Sequence, residues 1–342
     1  MGYYRKMIDI ITEHDREVYR EEFAGRLPAK IFDAHVHIVY KRSFPPEWPS
    51  TNISYVAKTG NEFTVEKFFE LYKAFLPDVE MSLAGFGSPA MRVDRSDAAN
   101  IGADNKRIFG LRLLSAYDPV ETVEADIRKY RLAGVKPYAN MALNYPGREV
   151  ELLDFFTPEQ LEMLNRLKLI AVVHIPRWMR LEDPLNRKQM KQLCEKYPDI
   201  TFVFAHIGRA YYQRCATKYV DEFVEFPNAY WDTAMINHEG VLRYTFDHFP
   251  AERILFGTDA PIAFLHGKAV EIDHQYAYVT PEDFHSGTVL NDTAGKLQYV
   301  PFLYEQLRSV LALGLPRRVL EDFFFNNAHE LYTATVERIH GK

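Results

Sequence analysis

Apolar residues along this chain fall into short solid or alternating runs, separated by longer stretches in which they recur every three or four positions. The first pattern is that of a strand and the second that of a helix. Strand-like runs cover residues 30–40, 81–86, 108–115, 134–138, 169–173, 200–205, 229–233 and 253–258. Helices are predicted over 64–76, where Phe68, Leu71, Tyr72 and Phe75 share a face, and over 120–132, 158–167, 188–197, 211–226 and 240–249. Asp118-Pro119 opens the second of these, the proline being suited to a first turn. Two more helices, 302–313 and 316–325, follow the last strand. Strands that alternate with helices in this way predict an α/β fold, a (β/α)8 TIM barrel with right-handed crossovers.

The remainder divides into three segments. Residues 1–28 predict an N-terminal helical extension, with Ile8, Ile11 and Val18 in a charged background and Pro28 closing it. Residues 43–60 are a loop rich in Pro, Ser and Asn, just downstream of the first strand. Residues 260–300 form the longest loop and carry His266, His274 and His285. So long a loop in a compact barrel is usually functional. It is expected to cap the pocket, with its histidines at the surface. No repeat or linker interrupts the chain, so residues 1–342 are expected to form one barrel domain.

Composition narrows the class. Hydrophobic residues make up 47% and charged residues 26%, the balance of a globular enzyme. A net charge of −6 gives no reason to expect nucleic-acid binding, and no apolar run reaches the ~20 residues a membrane span needs. The charged N-terminus lacks a signal-peptide core. With only Cys194 and Cys215, outside any ligand-spaced cluster, a cytoplasmic setting and structural thiols are expected. The expected partner is a small-molecule substrate; a homo-oligomer is compatible.

Candidate chemistry gathers at strand ends. In Asp33-Ala34-His35-Val36-His37 the two imidazoles are two residues apart, hence on one face of a strand. The run 169–173 leads into His174, 200–205 into His206 and 253–258 into Asp259. Barrel enzymes place catalytic groups at the C-terminal ends of their strands, so four strands that each carry a potential ligand point to one convergent metal site. Arg177 and Arg209 each follow a site histidine by three residues and are placed to grip a carboxylate through bidentate hydrogen bonds. A solvated surface ion pair is the alternative for each.

Together, Asp33-x-His35-x-His37, the histidines after strands 5 and 6, Gly257-Thr258-Asp259-Ala260-Pro261, His206-Ile207-Gly208 and Asn327-Ala328-His329-Glu330-Leu331-Tyr332 resemble the metal-dependent amidohydrolase superfamily, in its amidohydrolase 2 branch. That branch includes aminocarboxymuconate-semialdehyde decarboxylase-like enzymes and hydrolases of small acids and lactones. The resemblance, over roughly residues 30–335, implies one divalent metal held by His35, His37, His174 and Asp259. Zinc is the first expectation, with manganese or another divalent ion as alternatives. It also implies Asp259 as acceptor of a proton from metal-bound water and His206 as a general acid or base. Lys136 sits where some members carry a carboxylated lysine that bridges two metals; an ammonium that binds substrate carboxylate and a structural ion pair are the other readings. Asp33 is expected to face the same side as His35, deeper in the barrel, either accepting from an imidazole N–H or closing the barrel floor.

The expected activity is hydrolysis of a C–O or C–N bond in a lactone, ester or amide of a small carboxylated substrate. A metal-dependent non-oxidative decarboxylase is the second reading. A non-catalytic barrel with a structural metal is the third.

Overall fold

The computed structural model describes residues 11–40, 62–88, 101–145, 149–273, 275–280, 288–289 and 298–341. The predicted loop at 43–60, the first ten residues of the N-terminal extension, His274 and His285 lie outside them. Eight strands run parallel and pair in chain order: β1 (Lys30–His37), β2 (Glu80–Phe86), β3 (Ile108–Leu114), β4 (Gly134–Pro137), β5 (Ile170–Val173), β6 (Thr201–Phe204), β7 (Ala229–Asp232) and β8 (Ile254–Leu255). The ring closes where Ala34 N–H donates to the Phe256 carbonyl (2.9 Å), Asp259 N–H to that of His35 (2.9 Å) and His37 N–H to that of Ala260 (2.8 Å). This is the (β/α)8 barrel that the apolar pattern predicts.

Helices α1 (Glu13–Val18), α2 (Val65–Phe75), α3 (Val120–Lys129), α4 (Pro158–Leu167), α5 (Pro184–Lys196), α6 (Glu239–His248) and α7 (Phe302–Ala312) account for most of the predicted helical stretches, and α8 (Asn327–His340) lies beyond the last of them. Local chemistry sets several starts. Thr64 accepts from Lys67 N–H at the head of α2, and Thr157 forms a capping box with Gln160 ahead of Pro158 in α4. Helix α5 begins four residues before its predicted start because Asp183 accepts from the N–H groups of Leu185 and Asn186, with Pro184 at the first helical position. None of the helices among the described residues is long and apolar enough to cross a membrane.

Phe32, Ala34, Phe86, Phe109, Leu111, Val172, Val203 and Leu255 fill the barrel interior, and Tyr332 of α8 packs against Phe32 and Phe109. A second apolar layer joins the strands' outer faces to the helices. Strand β1 changes phase between these layers. Asp33 pairs with Leu83 and Val36 with Gly85, so three steps on β1 oppose two on β2, a β-bulge. Ile31 and Val36 face the helices, whereas Phe32 and Ala34 face inward. Asp33 therefore lies on the outer face, where Tyr72 reaches it, while the extra residue turns His35 inward against Phe86. The expectation that Asp33 shares a face with His35 fails because strict alternation does not survive the bulge.

Two further segments depart from expectation. Residues 211–226 are not one helix: a short turn at Gln213–Ala216 stops at Lys218, whose φ is 73°, and a 3-10 turn follows at Asp221–Phe223. The buried Ala216, Val220 and Phe223 keep a helix-like spacing across that break, which explains the misleading pattern. The segment after β8 contains an antiparallel hairpin, β9 (Lys268–Ile272) with β10 (Gln275–Thr280), joined by β11 (Thr288–Val289). Its His266 is a partner of buried Asp15 in α1 (2.9 Å) and not a surface residue. Both cysteines are buried and unpaired, and burial pushes the Cys194 thiol up to about 12.

Candidate active site

The bulge and the closing hydrogen bonds bring three of the predicted ligands together. His37 Nε2 lies 2.9 Å and His35 Nε2 3.5 Å from Asp259 Oδ1. The opposite nitrogen of each imidazole faces an acceptor: His35 Nδ1 lies 2.9 Å from Asp232 Oδ2, and His37 Nδ1 3.2 Å from the Gly87 carbonyl. A ring whose Nδ1 meets only an oxygen acceptor carries its proton there, which leaves the Nε2 lone pair free. Two such lone pairs aimed at one carboxylate repel unless a cation stands between them. This donor set, two imidazoles and a carboxylate, fits zinc and related divalent ions.

His174 follows β5 directly but stands apart from that trio. Its ring centroid is 5.3 Å from that of His206 and 6.5 Å from that of Tyr138. His206 follows β6, 4.7 Å from the His35 ring. Its Nδ1 donates to the Ala234 carbonyl (2.8 Å), so its Nε2 also keeps a lone pair. Burial, reinforced by Lys136 and His206 around His35 and by Arg209 and His206 around His174, holds both imidazoles well below the ordinary histidine range. Burial lowers His206 as well, against Asp259 and Asp232. For Asp259 burial works in the raising direction, but His37, His35 and His206 outweigh it and hold the carboxyl well below its usual value.

Backbone conformation here is unusual. His206, Ile207, Gly208 and Arg209 have φ of 57°, 49°, 61° and 63°, close to a full left-handed turn. Left-handed backbone costs an L-residue roughly 1–2 kcal/mol, so the turn must be held from outside. Asp232 Oδ1 accepts from His206 N–H (2.8 Å) and Ala234 N–H (3.1 Å). A Cβ on Gly208 would meet the Leu181 side chain at 3.0 Å, a close contact that glycine avoids while adopting the left-handed φ without steric cost. Asp259, Arg177 and Arg180 also have positive φ.

Asp232 is missed by the sequence reading, although the signal was present: β7 ends in this carboxylate much as the run 253–258 leads into Asp259. Among the described residues Asp33 contacts no imidazole. Its Oδ1 accepts from the backbone N–H of His35 (3.1 Å) and Thr258 (3.0 Å), and its Oδ2 from the hydroxyls of Tyr72 (2.6 Å) and Thr258 (2.5 Å). It thus ties the bulge to the chain after β8 and to α2. Lys136 is fully buried, with Nζ over the rings of Phe86 (4.8 Å) and Tyr138 (5.2 Å) and without a hydrogen-bond partner among the described residues. Burial lowers it to about 8, against the raising effect of Asp232 and Asp259.

Above His174 opens a cavity of about 480 Å³ lined in part by Arg177, Arg180, Arg209, Gln275 and Tyr276. Arg177 is already engaged, its Nε 2.9 Å from Asp183 and its Nη2 3.2 Å from Glu149. Among the described residues Arg209 donates only to the carbonyls of Ile175 (3.2 Å) and Arg177 (3.4 Å). Arg180, absent from the sequence reading, lies 4.9 Å from the Tyr276 ring centroid and 5.9 Å from that of Tyr211, with long contacts to Gln275. Among the described residues neither Arg180 nor Arg209 has a carboxylate partner, and the Nε of each is buried and unbonded. A groove of similar size between α4 and α5 contains none of these ligand or guanidinium groups.

Histidines and a carboxylate converging above parallel barrel strands define a metal-dependent enzyme site of the amidohydrolase type. The chain belongs to the amidohydrolase family, whose model matches residues 32–333. That family is metal-dependent. Solved structures share the fold at low identity. An amidohydrolase from Burkholderia multivorans, with bound HEPES, is 13% identical with a TM-score of 0.58, covering 89% of this chain and 99% of its own. A probable 2-pyrone-4,6-dicarboxylic acid hydrolase from Acinetobacter baumannii, with citric acid bound, is 13% identical (TM-score 0.55, 88% and 98% covered). The 5-carboxyvanillate decarboxylase LigW from Sphingomonas paucimobilis is 11% identical (TM-score 0.56, 89% and 99% covered). No curated protein sequence matches the chain.

Proposed function

We propose that this enzyme hydrolyses a C–O or C–N bond in a small carboxylated lactone, ester or amide, using one divalent metal, zinc in the first instance. His35, His37 and Asp259 would hold the metal, with His174 as the fourth ligand. When bound, such an ion polarises a carbonyl and acidifies water. The observation that carries the choice of hydrolysis is the hydrogen-bond geometry of the site. Asp259 turns a carboxylate oxygen toward the Nε2 atoms of His35 and His37, and His206, whose Nδ1 donates to the Ala234 carbonyl, keeps a bare Nε2, so both groups nearest the reacting atoms are placed as proton acceptors. Activating water needs an acceptor, whereas protonating the carbon left by CO₂ needs a donor.

Asp259 presents a carboxylate oxygen with no hydrogen bond to the described residues and is the acceptor for the water proton. His206 Nε2, fixed by the Nδ1 bond to Ala234, carries that proton toward the leaving group. Arg209 and Arg180 take the substrate's carboxylate in the cavity, and Arg177, divided between Asp183 and Glu149, steadies the rim. Lys136 offers its ammonium to a substrate oxygen deeper in the site. The test is a panel of carboxylated lactones, esters and amides, with unsaturated and aromatic acids, incubated in ¹⁸O-water. Label in the product acid without CO₂ is expected. CO₂ from the acids, with every ester, lactone and amide intact, would establish decarboxylation instead.

A further inference from the structure

We infer that Asp232 is a positioning residue that sets the tautomer of His35 and thereby decides whether its Nε2 can serve as a ligand. The inference depends on His35 as a metal ligand, but its first readout does not require the metal. Asp232 is fully buried at the end of β7, and its two oxygens have separate tasks. Oδ1 accepts from the backbone N–H groups of His206 and Ala234, at 2.8 and 3.1 Å. Oδ2 faces His35 Nδ1 at 2.9 Å. Both backbone groups are obligate donors, so an oxygen must occupy the Oδ1 position. Because Oδ2 of a carboxylate is also an acceptor, His35 must place its proton on Nδ1, which leaves Nε2 bare toward Asp259, 3.5 Å away.

An amide at position 232 breaks this logic without changing shape. In Asp232→Asn the oxygen has to remain on the two backbone donors, because an NH₂ group there would confront two N–H groups. The NH₂ then points at His35 Nδ1, which can only accept, and the ring proton moves to Nε2. The imidazole would keep its place and lose its lone pair on the metal side. Asp232→Ala removes the dictation: His35 is free to adopt either tautomer, and the backbone donors of His206 and Ala234 lose their acceptor. The isosteric variant should therefore damage metal binding more than the truncated one, the reverse of what a packing role predicts.

The experiment uses the full chain labelled with ¹⁵N-histidine, stripped of metal by a chelator, with the His35 signals assigned by His35→Gln. In the wild type, the ¹⁵N shifts should show a protonated Nδ1 and a bare Nε2 for His35. In Asp232→Asn the pattern should invert for His35 alone. Zinc titration should then show affinity reduced more than ~100-fold in Asp232→Asn and ~10–100-fold in Asp232→Ala, the range seen when a partner of a ligating histidine is removed. If Asp232→Ala fails to fold, the tautomer readout on Asp232→Asn is sufficient. A folded Asp232→Asn protein whose His35 keeps Nδ1–H, or which binds zinc as well as Asp232→Ala, overturns the inference. A wild type with the stated tautomer but no zinc affinity would refute the metal site and leave the tautomer control standing.

Discussion

Replacing Asp33 tests whether the bulge in β1 is held by a side chain or merely tolerated. In Asp33→Ala the N–H groups of His35 and Thr258 lose their buried acceptor. Each costs about 1–3 kcal/mol when left unsatisfied, so ~4 kcal/mol is a central figure for the pair. The hydroxyls of Tyr72 and Thr258 lose less, because they already lie 2.9 Å apart and can bond to each other. In Asp33→Asn the amide oxygen keeps both backbone donors while its NH₂ faces the two hydroxyl oxygens, which accept after rotating their hydrogens. That variant should lose about 1 kcal/mol or less. At roughly 2 °C per kcal/mol for a chain of this size, Asp33→Ala should melt ~8 °C lower and Asp33→Asn within ~2 °C of wild type by circular dichroism. Zinc titration should show a weakened site in Asp33→Ala alone, since the slackened bulge no longer fixes His35. Linkage adds a sign. Burial pushes the Asp33 carboxyl up to about 7, above its unfolded value, despite four hydrogen bonds to it. Its contribution is fully present below the unfolded pKa of 3.8 and is lost as pH rises through about 7, so Asp33→Asn should gain on the wild type between pH 4 and 8. An alanine variant that melts like wild type and binds zinc equally well would refute the reasoning. So would an asparagine variant as damaged as alanine, which would mean that charge and not bonding matters.

Four other outcomes are expected. Purified protein should carry close to one divalent metal per chain by elemental analysis, and His37→Ala should lose it; unchanged content in that variant would remove the site. His206→Asn should keep the metal but lose ~10²–10⁴-fold in kcat. The acid limb of the wild-type profile should lie below the ordinary imidazole value of 6.5, because burial depresses His206 and activity disappears only as pH falls through the lowered pKa. Arg180→Met and Arg209→Met should each raise KM for carboxylated substrates and leave neutral analogues unaffected, measured side by side; equal effects on both would exclude an anion anchor.

The barrel was legible because each strand is a short apolar run, and His174, His206 and Asp259 because they stop such runs. His35, His37 and Asp259 meet as their positions suggested, and the same rule applied to β7 would have found Asp232. What stayed hidden depends on contacts distant in sequence. The bulge leaves no mark on the alternation of Phe32, Ala34 and Val36 with Asp33, His35 and His37. Arg180 becomes notable only when Gln275 and Tyr276 of the hairpin are placed beside it. The break at Lys218 is concealed because its flanking residues keep a helical period.

The left-handed turn after β6 carries a cost that selection on stability alone would remove. His206, Ile207 and Arg209 together hold roughly 3–6 kcal/mol of conformational energy that glycine would not. Arg209 adds a half-buried cation without a carboxylate partner among the described residues. A library screened only for heat resistance should therefore enrich glycine or asparagine at 209, and the same at 259, where φ is 65°. The survivors would be sturdier barrels with an emptied mouth. Thermostabilisation of this enzyme has to be scored on turnover from the first round, since its easiest gains lie at residues proposed to do its chemistry.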